Sequence, residues 1–293
     1  MCQPSLRGLV TTLLLLFANL ITPSRAEDQA ESRPIQEEIW ALPLPLPMFA
    51  YLVRPVGDGP FPLAIMNHGV SLNPTDRSFF PLVEFRDAAR WFAKRGYLVV
   101  APVGTGYGAM AIDIPEHGLY GPFFSKVGKC SNPNFRAPGL AVAQVDLWII
   151  DYMTAEKRIV PKDVIIVGQS AGGWASIALS SLNPPQVKAI ITFAAGRGGG
   201  KPNNNCAPDT LVEATREFGR TSRVPMLWIY IENDTFFGPA LSKRMHEAFT
   251  AAGGKAEYRL VPPFGNEGHF FIGSPDAIPI WSPLVTKFLD EQG

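Results

Sequence analysis

Val164-Ile165-Ile166-Val167-Gly168-Gln169-Ser170-Ala171-Gly172-Gly173-Trp174-Ala175 is the stretch on which the fold turns. An apolar, β-branched run meets a glycine, then a serine, then two more glycines and small residues that favour helix. The spacing predicts a strand, a very tight turn and a helix, with Ser170 at the apex. Its steric cause is plain. A serine on so sharp a bend holds strained backbone angles, and the residues two positions away must lack side chains to avoid collision. The bend lifts the hydroxyl clear of the sheet, and the new helix aims its N-terminal N–H groups at the same place. A serine so held is placed to attack a carbonyl; an ordinary turn is the plainer alternative.

Outward from that turn, strand and helix patterns alternate. Upstream, Met48 to Arg54, Phe61 to Met66 and Tyr97 to Ala101 read as strands, and Ser78 to Lys94 and Ala141 to Met153 as amphipathic helices. Downstream, strands are expected at Val187 to Ala194, Val224 to Ile231 and Ala256 to Val261. Helices are expected from the turn to about Leu182, over Thr210 to Phe218 and Pro239 to Ala252, and at the end over Trp281 to Glu291. Such alternation predicts an α/β fold: a mostly parallel central sheet with helices on both faces. The boundaries read are 1–26 for a signal peptide, 27–47 for an N-terminal extension and 48–293 for one domain. Glu27 to Glu38 reads as a loose polar lead, and Leu42 to Pro47, alternating leucine with proline, as an edge segment or an arm. Residues 104–139, rich in Gly, Pro and aromatic side chains without periodicity, read as a lid-like insertion after an early strand.

Composition narrows the function classes. With 26 basic and 26 acidic residues and no charge run, the chain offers nothing to a nucleic acid. At 46% hydrophobic and 18% charged it can bury a large core. Arg7, the apolar run from Leu9 to Ile21 and the small residues of Ser24-Arg25-Ala26 form a signal pattern, with cleavage expected after Ala26 and a periplasmic or secreted product. The run is short for a membrane span, so no stable insertion is expected after cleavage; an uncleaved anchor is the other reading. Export bears on Cys130 and Cys206, an even pair that an oxidising compartment would join. Two unpaired buried thiols are the alternative. Without clustered histidines they make a poor zinc site, and neither a metal nor a cofactor is implied.

A serine hydroxyl needs a base, and the base needs a partner that fixes its tautomer. Parallel strands deliver the loops that follow them to one edge of the sheet, so acid and base are sought there. Of the four histidines, His269 follows the last strand in Phe264-Gly265-Asn266-Glu267-Gly268-His269 and is the candidate base. His246 lies within a helix pattern, and His117 in the lid-like loop offers at most a substrate contact. Asp234, just after the strand Val224 to Ile231, is the candidate acid, with Glu232 as fallback. The chain order is then serine, acid, histidine. Oxyanion donors are expected from the backbone of Ala171 and of Gly69 or Val70, with His68 orienting that loop by hydrogen bonds. Tyr107 and Tyr120 are candidate substrate contacts. Gly196 to Pro202 looks like a phosphate loop, but it has one residue too few before Gly-Lys and a proline where a hydroxyl is needed.

These residues carry a resemblance. Tyr51-Leu52-Val53-Arg54-Pro55, Phe61 through Gly69, Phe92 through Pro102, Gly168-Gln169-Ser170-Ala171-Gly172-Gly173, Asp234 and Gly268-His269 together resemble the α/β-hydrolase superfamily, in its dienelactone-hydrolase-like and serine esterase–peptidase branch. The likeness covers nearly everything from about Phe49 onward. It implies the α/β-hydrolase fold and a Ser170–Asp234–His269 triad. Dienelactone hydrolases proper use a cysteine nucleophile; Ser170 in its place moves the expectation towards ordinary carboxylic esters. The expected protein is therefore a secreted serine hydrolase acting on a small-molecule ester through an acyl-enzyme. A peptidase of the same fold and a catalytically silent binding protein are the alternatives, and oligomeric state is left open.

Overall fold

A computed structural model describes residues 33–71, 73–110 and 127–293. Residues 1–26, expected to be a signal peptide, and His117 and Tyr120 lie outside the described residues. Eight strands form one sheet: β1 (Ile35–Leu42), β2 (Met48–Pro55), β3 (Phe61–Asn67), β4 (Leu98–Pro102), β5 (Ile159–Gln169), β6 (Val187–Phe193), β9 (Met226–Ile231) and β10 (Ala256–Val261). A small hairpin of β7 (Gly199–Lys201) and β8 (Asn204–Asn205) stands apart. The order across the sheet is β1-β2-β4-β3-β5-β6-β9-β10. β2 pairs antiparallel with both of its neighbours, and every other pairing is parallel.

Both faces are covered. Along β3, Leu63 and Ile65 belong to one core, Ala64 and Met66 to the other; on β5, Val164 and Ile166 alternate in the same way with Ile165 and Val167. A strand buried on both sides must be apolar at every position, which is why these runs show no polar alternation. The helices are α1 (Pro74–Ser78), α2 (Arg86–Lys94), α3 (Arg136–Ala155), α4 (Ala171–Ser180), α5 (Pro208–Thr221), α6 (Pro239–Ala251) and α7 (Ile278–Asp290). α3 to α6 pack on the first face around Trp174, and α2 and α7 on the second around Phe92 and Trp281. α4 is buried along its whole length. It nests against α3 at Gly139, where a side chain would meet Trp174 and Ala178, and Trp174 donates its indole N–H to the Phe135 carbonyl at 2.7 Å.

Some expected boundaries shift, for local reasons. Of the helix expected from Ser78 to Lys94 only α2, from Arg86 onward, forms; Ser78 ends the separate α1, and residues 79–85 are not helical. Pro81 interrupts the expected run, and Phe85, immediately before α2, takes a left-handed φ of 52°. The helix expected from Ala141 begins at Arg136, because Pro138 falls in its first turn, where no N–H is needed. The stretch 104–139 is thus helical from 136 onward. The polar lead contains β1, an antiparallel edge strand paired from Ile35↔Pro55 to Leu42↔Met48.

Chain order and strand order diverge at one place. From β3 the chain moves outward to β4, then returns to β5 on the other side of β3. The carboxyl ends of β3 and β5, level at Asn67↔Gly168, therefore open on a crevice between loops that depart in opposite directions. That is where ligands settle in open α/β sheets.

Candidate active site

Ser170 stands at the end of β5 with φ 54° and ψ −119°, a conformation that non-glycine residues rarely hold. Its backbone is pinned from three sides. The Ser170 N–H donates to the Phe193 carbonyl at 3.0 Å, and its carbonyl accepts from Trp174 at 2.9 Å and Gly196 at 3.0 Å. The flanking glycines are there for space. A Cβ on Gly168 would come 2.5 Å from the Gly172 carbonyl oxygen, and one on Gly172 would come 2.2 Å from the Asn67 carbonyl oxygen. The apex is possible because these two positions carry no side chain.

The fold brings Ser170, Asp234 and His269 together. Ser170 Oγ lies 3.0 Å from His269 Nε2, and His269 Nδ1 lies 3.2 Å from Asp234 Oδ2. All three are buried: Ser170 is 7% exposed, Asp234 4% and His269 4%. The other oxygen of Asp234 accepts two backbone N–H groups, from Phe236 at 2.7 Å and Phe237 at 2.9 Å, so the carboxylate cannot swing away. Phe236 stacks on the imidazole with centroids 4.4 Å apart. Glu232, the fallback acid, is exposed. A hydroxyl hydrogen-bonded to an imidazole whose far nitrogen faces a fixed carboxylate can pass its proton to that imidazole as it attacks.

Two residues that no sequence pattern marked hold His269 in place. Gln169 donates from Nε2 to the His269 carbonyl at 2.9 Å. Glu267 accepts from the His269 N–H at 3.0 Å and from the N–H and hydroxyl of Thr235, tying the loop after β10 to the loop after β9. The contacts from Gln169 to His269 and from Glu267 to Thr235 span long separations and leave no period in a sequence.

The loop after β3 supplies the opposite wall. His68 accepts at Nε2 from the Gly104 N–H, 2.8 Å away, so Nδ1 carries the hydrogen and donates to the Gly69 carbonyl at 2.6 Å. Burial lowers its pKa to about 4, opposed by that carbonyl, so the ring is neutral and acts as a brace between two loops. Gly69 lies against Ser170: a Cβ there would meet Gln169 Oε1 at 2.5 Å and Ser170 Cβ at 3.0 Å. The N–H groups of Gly69, Val70 and Ala171 have no acceptor among the described residues. Val70 and Ala171 line one small pocket of about 50 Å³, and Gly69, Val70 and Ser170 line the larger cleft of about 420 Å³ beside it. Tyr107 faces both, but its hydroxyl is occupied, accepting the Ser71 N–H at 2.9 Å.

Beneath this loop, Asn67 donates from Nδ2 to Asp146 Oδ2 at 2.9 Å, both residues buried. The second oxygen of Asp146 has no hydrogen-bond partner among the described residues, and burial pushes its carboxyl up to about 8. Cys130 and Cys206 are joined in a disulfide with Cα atoms 5.1 Å apart. It fastens the segment before α3 to the hairpin after β6. No group of histidine, cysteine and acidic side chains among the described residues is arranged to hold a metal ion.

A family model described as the dienelactone hydrolase family matches residues 79–278. No curated protein matches the sequence. Among solved structures, a Klebsiella pneumoniae protein assigned to the dienelactone hydrolases superposes with a TM-score of 0.59 at 21% identity, over 87% of this chain and 99% of that one. A Thermoplasma acidophilum protein assigned as a CIB-like hydrolase gives 0.55 at 20% identity, over 88% and 99%. The acylaminoacyl peptidase of Pyrococcus horikoshii gives 0.60 at 15% identity; the match covers 93% of this chain but 44% of the peptidase. At these identities the structural likeness speaks for the fold.

Proposed function

The chain belongs to the dienelactone hydrolase family and is a hydrolase of the α/β fold; from that premise we propose that it cleaves carboxylic esters through an acyl-enzyme formed on Ser170. The observation that carries the reading is the 3.0 Å contact between Ser170 Oγ and His269 Nε2, continued through Nδ1 to Asp234.

In the proposed reaction, Ser170 Oγ attacks the ester carbonyl carbon while His269 Nε2 takes its proton. Asp234 steadies the imidazolium that forms. The carbonyl oxygen, now negative, is met by the N–H of Ala171 and that of Gly69 or Val70, the groups left without internal acceptors. The tetrahedral species then collapses. His269 returns its proton to the departing alkoxide, and the alcohol leaves. A water activated by the same imidazole repeats the attack on the acyl-enzyme, releasing the acid and restoring Ser170. No step calls for a metal or a cofactor.

The N-terminal signal pattern and the Cys130–Cys206 disulfide support a periplasmic or secreted site of action. Among the described residues no helix is long and apolar enough to cross a membrane. The reading is tested with p-nitrophenyl acetate and a fluorophosphonate probe. Ser170→Ala should lose both turnover and labelling while keeping its far-UV circular dichroism. Undiminished turnover in that variant would remove Ser170 from the reaction.

A further inference from the structure

The larger cleft has walls that the proposed mechanism does not use. Besides Ser170 and His269 it is bounded by Phe80, Phe85, Phe236 and Phe270, and by two carboxylates, Asp76 and Glu84. No lysine or arginine among the described residues lines it. For an anionic or neutral apolar ligand this would be a poor site. A half-buried carboxylate such as Glu84 repels the first and is idly desolvated by the second.

The two carboxylates differ in their surroundings. Asp76 accepts the Ser71 hydroxyl at 2.9 Å, and neighbouring Arg77 spends its guanidinium on the Ser71 carbonyl at 2.9 Å. Glu84, half-buried just before α2, takes part in no hydrogen bond or ion pair with the described residues. Burial alone raises its carboxyl, with no cation beside it to offset the effect. The arginines of α2 do not answer it: Arg86 and Arg90 both face Glu37 on the outer strand. Glu84 is thus a carboxylate partly withdrawn from water, in a cleft that four phenylalanines also line, with no counter-charge among the described residues.

That combination is the chemistry that recognises substituted ammonium groups. A cation over a ring face is attracted by the ring's quadrupole, and a carboxylate at the edge of the cage adds its charge. Its place relative to the proposed chemistry is fixed by Phe236, which stacks on His269 at 4.4 Å and touches Phe270 edge-on at 6.2 Å. Phe270, 62% exposed, lines the cleft with its ring edge-on to both Phe236 and His269. We propose that this cleft selects esters that carry an ammonium group, held between the phenylalanine rings and Glu84, on either the alcohol or the acyl side of the bond that Ser170 attacks. The proposal rests on the ester-hydrolase reading and names its substrate class.

Two measurements test it, one of which needs no turnover. In thermal unfolding, choline should raise the midpoint of the wild-type protein more than its uncharged carbon isostere does, and Glu84→Gln should cancel the difference. In kinetics, acetylthiocholine is compared with the isosteric thioester in which carbon replaces the ammonium nitrogen, and glycine p-nitrophenyl ester with p-nitrophenyl propionate. The first pair places the charge on the alcohol side, the second on the acyl side. At least one cationic member should be preferred in kcat/KM by roughly tenfold, and the preference should collapse towards unity in Glu84→Gln. Equal stabilisation by choline and its isostere, or neutral esters hydrolysed as well as cationic ones, overturns the ammonium site and leaves the hydrolase standing. A Glu84-dependent choline shift in a protein that cleaves no ester and takes no fluorophosphonate would keep the site and sink the esterase.

Discussion

Gly172→Ala is a one-carbon change that tests the geometry of the proposed oxyanion site without touching the triad. The added methyl would lie 2.2 Å from the Asn67 carbonyl oxygen, 2.5 Å from the Asn67 carbonyl carbon and 2.7 Å from the His68 carbonyl oxygen. Unstrained contacts of this kind sit at about 3.5 Å, so the end of β3 and the start of α4 must part by about 1 Å. Both partners are backbone, and neither can rotate aside. On one side Asn67 is held by Asp146, and on the other α4 is buried along its length. Overpacking of this sort costs about 1–3 kcal/mol, and at about 2–4 °C per kcal/mol the unfolding midpoint should fall by several degrees. The functional loss should be larger. The displaced segments carry the N–H of Ala171 and those of Gly69 and Val70, the donors meant to converge on one oxygen, and a 1 Å misplacement in an active site can cost about 10²-fold. Steady-state hydrolysis of p-nitrophenyl acetate should show kcat reduced by that order, with fluorophosphonate labelling slowed in proportion. A variant with wild-type kcat and an unmoved midpoint would refute the claim that these two segments meet at Gly172 to form the site.

Other expectations follow from particular contacts. In Asp234→Asn, the N–H groups of Phe236 and Phe237 would hold the amide oxygen where Oδ1 now lies, turning the NH₂ towards His269 Nδ1. The imidazole is then driven to the tautomer with hydrogen on Nε2, useless as a base, and kcat should fall by something on the order of 10³–10⁴ with little change in KM; a tenfold loss or less would argue against the assignment. Reduction of Cys130–Cys206, which closes a sequence separation of 76, should cost about 2–4 kcal/mol, read as a lower unfolding midpoint in dithiothreitol. Identical midpoints, or two free thiols in the mass of the unreduced protein, would contradict it. Asp146 should make stability fall as pH rises. Its folded pKa of about 8 exceeds the unfolded value, about 3.9, so between those limits the unfolded chain sheds a proton that the fold retains. Asp146→Asn, which cannot titrate, should gain on the wild type between pH 5 and pH 8 in urea denaturation, and a difference that stays flat would show the carboxyl to be ionised.

The strands were readable because burial on both faces leaves no room for polar residues at 63–66 of β3, 98–101 of β4, 164–167 of β5, 189–191 of β6 or 226–231 of β9. The turn at Ser170 was readable because the bend demands glycine on either side. Asp234 and His269 could be singled out because a parallel sheet sends every following loop to one rim, and few titratable residues sit at the ends of its strands. Where sequence reading fell short, a local rule was overridden by context. Pro81 and the left-handed Phe85 break a helix whose apolar spacing looks continuous, whereas Pro138 and Gly139 sit comfortably in a helix they appear to forbid, one in its first turn and the other against Trp174. His68 was expected to orient its loop by hydrogen bonds, and its ring bonds Gly69 and Gly104. The other supports of the site, Gln169, Glu267 and Asp146, were the least legible: each reaches a group far off in sequence, His269, Thr235 or Asn67, so neither spacing nor composition betrays it.

The way Ser170 is fastened has a practical corollary. Its main chain is clamped by Phe193, Trp174 and Gly196, His269 is anchored through Gln169 and Glu267, and the hydroxyl itself makes one hydrogen bond among the described residues, to His269. Deleting that oxygen therefore leaves the receptacle standing while disarming it. The Ser170→Ala protein becomes bait: incubated with an extract of exported metabolites, it should retain an uncut molecule long enough for mass spectrometry to identify what the wild type destroys.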